Sequence, residues 1–205
     1  MSELRISMAW KVLRKEGLRS FWFKLIDVLG YRRLFLLSRS LEKPIPAVEA
    51  KISLALSWLT SAETGDYLAF RPTTDAIKLA KRFERHERCL AARSPDGRLV
   101  GVMWVARHRA RIEYLEEELP LADDEVYLFD AFTDPTLRGR AIAPALSTEL
   151  LRRLHAEGCR VALRGTLPEN TAALKAHAKA GFQIIGLAAR MKLGPWRRSW
   201  RRELR

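Results

Sequence analysis

The order of segments from residue 125 onward constrains this chain most. "EVYLFDAFT", residues 125–133, is a nearly continuous apolar run of the kind a central strand shows when both of its faces are covered. It feeds directly into "PTLRGRAIAPAL", residues 135–146, where Pro135 stops the strand and a helix begins around Ile142 to Ala145. After that helix, "APALSTELLRRLHAEG", come a strand ("RVALRGT"), a helix ("NTAALKAHAKA") and a strand ("GFQIIGLAARMKL"). Strand, loop, helix, strand, helix, strand predicts an α/β fold with a parallel element, and such folds place ligands at the C-terminal ends of their strands.

The loop between the first strand and helix has unusual chemistry. Two arginines flank one glycine, and small residues follow. A helix N-terminus carries unpaired N–H groups and roughly half a positive charge, so it attracts phosphate. Gly139, Ala141 and Ala143 let a bulky anion approach the main chain, while Arg138 and Arg140 can add charge-assisted hydrogen bonds. On the loop alone, a helix start that is merely small and basic is an equal alternative.

Upstream, residues 4–29 predict a helix, broken near Gly17 and stopped at Gly30, and "YRRLFLLSRSL" continues the segment until Pro44 and Pro46. "KISLALSWL" predicts a strand and "TTDAIKLAKRFERHE" a helix capped by Thr74 or Asp75. "RCLAARS" and "RLVGVMWVARH" predict strands around a Pro95–Gly97 turn. The acidic stretch Glu113 to Glu125 predicts a loop or short helix, either solvated or favouring a cationic amine. The organisation expected is a basic amphipathic helical extension over 1–45, a main domain over 46–193 and a basic Trp/Arg tail over 194–205.

"TDPTLRGRAIAPAL…PENTAALKAHAKAGF" resembles the GCN5-related N-acetyltransferase (GNAT) superfamily, over roughly residues 87–190. The family's phosphate loop reads Arg/Gln-x-x-Gly-x-Gly/Ala. Arg138 fills its first position, Ala141 stands at the usual glycine and Ala143 fills the last; Thr133 and Pro135 match the lead-in. Downstream, Asn170, Ala173, Gly181 and Phe182 fall in register with the family's Asn-x-x-Ala…Gly-Phe. The resemblance implies a mixed central sheet with a splayed strand pair, flanked by helices, and acetyl-CoA as acyl donor. It also implies that Ala131, Phe132 and Thr133 would pair with the pantetheine arm. The loop from Gly139 through Arg140, Ala141, Ile142 and Ala143 to Pro144 would hold the diphosphate, although Pro144 has no N–H, and Asn170 would reach the cofactor from the side.

Two departures stand out. Ala141 adds a methyl group where backbone meets phosphate, which is accommodated as long as the residue avoids positive φ. His177 replaces the tyrosine that often protonates the departing thiolate, and stands either as the acid or as a helix-surface residue. For the general base the candidates are Glu125 and Asp130, which a regular pleat would turn to opposite sides, with water relays as the alternative. Cys89 and Cys159, the two cysteines of the chain, offer neither a disulfide framework nor metal-ligand spacing, and no metal is expected. His86, His108 and His155 are expected to be solvated.

The net charge of +13 sits at the ends. Residues 1–43 hold 10 Lys/Arg against 4 Asp/Glu and residues 190–205 hold 7 against 1, whereas 44–189 hold 20 against 19. "GPWRRSWRREL" interleaves Trp196 and Trp200 with arginines, a pattern suited to an anionic membrane surface, where each nearby charge contributes about 1 kcal/mol. Three function classes follow. The first is an acetyl-CoA-dependent N-acyltransferase acting on a primary amine, with a lipid-linked or polysaccharide precursor as one acceptor class and another acyl-CoA or an acyl carrier protein as alternative donor. The second is a non-catalytic CoA-binding relative. The third is a basic nucleic-acid or ribosome-associated protein, the weakest because no recognition motif appears. With no apolar h-region at the start and no apolar stretch near 20 residues, the expected location is the cytoplasm or the inner face of the membrane.

Overall fold

The computed structural model describes residues 30–193 and 195–204. Within these residues ten strands occupy Tyr31–Ser40 (β1), Ala55–Trp58 (β2), Arg88–Arg93 (β3), Leu99–Arg107 (β4), Arg109–Ile112 (β5), Glu117–Pro120 (β6), Glu125–Thr133 (β7), Val161–Thr166 (β8), Gln183–Leu193 (β9) and Trp196–Glu203 (β10). Among the described residues four α-helices occupy Thr64–Phe70 (α1), Ala76–Glu84 (α2), Ile142–Ala156 (α3) and Thr171–Lys179 (α4). Eight strands form one sheet in the order β10-β9-β1-β8-β7-β4-β3-β2, and β5 pairs with β6 in a separate ribbon. β7 and β8 run parallel, joined by the α3 crossover; the other neighbours are antiparallel.

Burial explains the sequence patterns. β4 is buried along almost its whole length because α3 covers one side and α1 with α2 the other, so its sequence is apolar without alternation. On the α3 side, Leu146, Leu150 and Leu154 meet Val100, Met103 and Val105; on the other, Tyr67 of α1 and Leu79 of α2 meet Val102 and Trp104. Asp75 caps α2 by accepting from the Ile77 and Lys78 amides at 2.8 and 3.4 Å.

Three expectations change. Residues 31–40 are an inner strand, hydrogen-bonded to β8 and β9, rather than part of a helical extension. A short apolar run such as "LFLL" reads alike in a buried helix and in a strand covered on both faces. The helix expected over 4–29 lies outside the described residues. The basic tail is β10, an edge strand on β9 whose arginines and exposure suit a sheet border. The acidic stretch folds into a 3-10 turn at Glu113–Leu115 and the β5–β6 ribbon, where arginines meet its carboxylates: Arg82 at Glu113, Arg32 and Arg190 at Glu116, Arg109 at Glu118.

Candidate functional site

The sheet opens at one place. The parallel ladder between β7 and β8 runs from Glu125–Val161 to Leu128–Arg164 and stops, while β7 stays paired with β4 as far as Thr133. At the same level β7 bulges: Trp104 lies opposite Phe129 and Val102 opposite Phe132, so Asp130 and Ala131 share one position on β4. Asp130 takes a left-handed φ of 47° to make that bulge. The regular pleat expected across Glu125 to Asp130 is therefore broken. Ala131, Phe132 and Thr133 lie on the separated part of β7, with no pairing partner on β8.

The loop after β7 is built to expose amides. Asp134 caps a 3-10 turn over Pro135–Leu137 by accepting from the Thr136 amide at 2.9 Å. Arg138, Gly139 and Arg140 are exposed, and Lys51 donates its amide to the Arg140 carbonyl at 2.8 Å. The N–H groups of Gly139, Ala141, Ile142 and Ala143 find no acceptor among the described residues. Ala141, the N-cap of α3, has φ 59° and ψ 21°, and Gly139 has φ 79°. The condition under which alanine would be harmless is not met: Ala141 holds a glycine conformation, at a cost of about 1 kcal/mol.

Beside the opening lies a cleft of about 470 Å³, on the side where Leu34, Ile112, Tyr114, Tyr127 and Phe129 supply an apolar wall. Its charged centre is Asp130, which accepts from Arg71 Nη1 and Arg82 Nη1, each at 2.6 Å. Those guanidinium groups also lie over rings, Arg71 on Phe132 at 4.7 Å and Arg82 between Trp104 and Phe129 at 5.0 and 5.1 Å. Burial alone would push the Asp130 carboxyl up; the hydrogen bonds and charges of Arg82 and Arg71 outweigh it and hold it below the usual carboxylate value. Asp130 is thus at the opening but is a weak proton acceptor. Glu125 is elsewhere. It begins β7, four residues before Phe129 and about 13 Å away at the usual strand rise, and its carboxylate accepts from the Ala122 amide.

On the opposite side of the sheet, Leu174 of α4 and the following Ala180 and Phe182 pack with α3 against the core. Asn170 caps α4 by accepting from the Ala173 amide at 3.0 Å, so its carbonyl oxygen is engaged in the helix start. His177 sits in the last turn, half-buried, its ring 6.1 Å from that of Phe182. Burial, with help from the Arg164 charge, lowers its pKa to about 4, which leaves the imidazole neutral at neutral pH. It is neither a surface histidine nor a ready proton donor in cationic form. His86, His108 and His155 are exposed, as expected.

Sequence reasoning overlooked four residues at the opening: Arg71, Arg82, Tyr127 and Arg164. Arg71 and Arg82 arrive from helices far upstream, and no local motif marks them. Tyr127 and Arg164 stood in plain apolar strands. Gly165 carries the one available signal, for a Cβ there would lie 2.6 Å from Tyr127 Oη. Burial pushes the Tyr127 hydroxyl up to about 12.

A mixed sheet that splays beside an amide-lined helix start defines an acyltransferase-like α/β class. A family model described as "Acetyltransferase (GNAT) family" matches residues 55–182, and the chain belongs to that family. Among solved structures, the chain is similar to a GCN5-related N-acetyltransferase from Sphaerobacter thermophilus, at 18% identity and a TM-score of 0.58, over 90% of this chain and 56% of that one. It is also similar to a putative GNAT acetyltransferase from Novosphingobium aromaticivorans, at 18% identity and 0.55, over 78% of this chain and 65% of that one. A third is the glucosamine N-acetyltransferase region of a fungal multi-domain GH3 β-N-acetylglucosaminidase, at 14% identity and 0.56, over 92% of this chain and 23% of that one. The chain therefore spans less than two thirds of each of these three. No curated protein sequence matches it.

Proposed function

We propose that this protein is an acyl-CoA-dependent N-acyltransferase, with acetyl-CoA the first donor to test. The supporting observation is the coincidence of two features: the ladder ends at Leu128–Arg164, and the unaccepted amides of Gly139, Ala141, Ile142 and Ala143 lie at the loop that follows. Those amides, with Arg138 and Arg140, would take the diphosphate. The pantetheine arm would add as a strand along Ala131 to Thr133, with Asn170 Nδ2 beside it. The thioester would then lie at the bulge, where the extra residue frees backbone N–H for the developing oxyanion.

The acceptor amine would enter through the cleft. Asp130, holding two guanidinium groups, fixes that wall, and the amine's proton leaves through water. The cleft is lined by Arg71, Lys78, Arg82 and Arg111 against Asp75, Glu113 and Asp130, a cationic excess. That balance suits a primary amine bearing its own negative group, as a lipid-linked or sugar-phosphate precursor would, better than a polycation.

A second reading concerns location. Trp196 and Trp200 remain 51% and 38% exposed on β10, beside Arg198 and Arg202 on the same side of the strand, which would suit an anionic membrane surface. No described helix is long and apolar enough to cross a membrane. An acidic acyl carrier protein would meet the same surface.

Calorimetry with acetyl-CoA and CoA, followed by thiol release against anionic and polycationic amines, tests this reading. Micromolar donor binding and turnover of an anionic amine are expected. Absence of binding by any acyl-CoA or acyl carrier protein would sink the enzymatic assignment; donor binding without turnover of any amine would favour a non-catalytic relative.

A further inference from the structure

Arg164 is the last β8 residue paired with β7, and its side chain is 8% exposed. Ala162 and Arg164 face the helices, while Leu163 and Gly165 face the cleft. Its guanidinium carbon lies 5.3 Å from the centre of the Phe182 ring, the ring that His177 also approaches. No carboxylate or carbonyl accepts from it among the described residues, and Nε is buried without a partner. An isolated buried cation costs several kcal/mol, which proteins avoid by pairing it or by leaving it out. A guanidinium kept in this state, at the edge of an opening, has its anion supplied by a ligand.

We propose that Arg164 is the counter-cation for the departing thiolate of coenzyme A, with the His177 imidazole as a neutral N–H donor to the same sulfur. The proposal rests on the acyl-CoA reading above. The acceptor's nitrogen lone pair forms the C–N bond at the thioester carbonyl carbon. The C–S bond breaks, its electron pair leaves on sulfur, and the proton lost from nitrogen passes to water. The sulfur stays as thiolate against the guanidinium until solvent protonates it on release. With burial lowering its pKa only to about 10, Arg164 keeps its positive charge at neutral pH, while burial and that same charge keep His177 uncharged. A charge partner thus takes over the task that a tyrosine acid performs by proton transfer.

The diphosphate of the same cofactor is the other anion within reach of the site, and a ligand lacking sulfur separates the two. The intact protein is saturated with CoA and titrated while thiolate absorbance is followed; desulfo-CoA affinity is measured alongside. In the wild type the bound thiol is expected to ionise at least tenfold more readily than free CoA. Arg164→Met should abolish that shift and leave desulfo-CoA affinity within about twofold, whereas Arg164→Lys, which keeps the charge, should retain part of it. An unshifted thiol in the wild type overturns the proposal without any variant. An equal loss of CoA and desulfo-CoA binding in Arg164→Met also overturns it, and assigns the arginine to the diphosphate. If neither ligand binds the wild type, the acyl-CoA reading fails first.

Discussion

Arg82 and Arg164 are both buried arginines at the β7–β8 opening, and they differ in what surrounds them. Arg82 reaches Asp130 at 2.6 Å, leans on two aromatic rings and has Glu113 nearby. Arg164 has one ring and no acid. The first arrangement is closed: its charges answer one another and hold β7, α1 and α2 together around the bulge. The second is open, and its charge is answered from outside the chain. Closed clusters report on folding and open ones on ligands, so substitutions at the two should fail in different assays.

Several measurements would break that comparison or sharpen it. The largest effect is expected at Asp130. Asp130→Ala leaves the buried Arg82 and the half-buried Arg71 guanidinium groups without their shared carboxylate, and should cost about 3 kcal/mol, or a melting temperature roughly 6–12 °C lower. Thermal denaturation checks it; an unchanged melt would mean the cluster is not holding the bulge. Because its folded pKa is depressed, Asp130 contributes stability that is present above the ordinary Asp value, about 4. That contribution is lost as pH falls through the folded value, so the gap between wild type and Asp130→Asn should close in acid.

Gly165→Ala should come next. The new methyl group drives Tyr127 Oη out of its place, which should cost about 1–3 kcal/mol and narrow the opening. Donor affinity should fall along with stability, measured by calorimetry and melting together. His177 gives a smaller, pH-bound effect. With a folded pKa near 4 against about 6.5 unfolded, it favours the unfolded chain as pH drops through that window. His177→Gln should therefore flatten the denaturation midpoint between pH 6.5 and 4, a result visible in urea titrations. The smallest change is Ala141→Gly, which relieves about 1 kcal/mol of left-handed strain and should tighten CoA binding by up to about fivefold. Ala141→Val should act in the opposite direction.

Much of this architecture was legible in the sequence because it is written locally. The strand into Pro135, the helix cap at Asp75 and the run of alternating elements after residue 125 each follow from neighbours along the chain. The small, basic loop that leads into α3 was legible for the same reason. What was hidden depends on residues distant in sequence. Asp130 reads as a candidate base until Arg71 and Arg82, 59 and 48 positions away, are seen to hold it. Glu125 reads as a neighbour of the chemistry until the ladder shows the opening starting at the other end of its strand. The acidic stretch reads as a solvated loop until arginines from four separate elements meet it. Long-range charge pairing leaves no period and no spacing to count.

The position of β1 has a consequence for how the molecule is made. It enters between β8 and β9, so the earliest described strand to leave the ribosome waits for partners that emerge at Val161 and beyond. Until then its two hydrogen-bonding edges have no mate, and pairing over so long a separation is the kind of contact that slows folding. Fragments cut to the family match at residue 55 would lack not a tail but a plank from the middle of the floor.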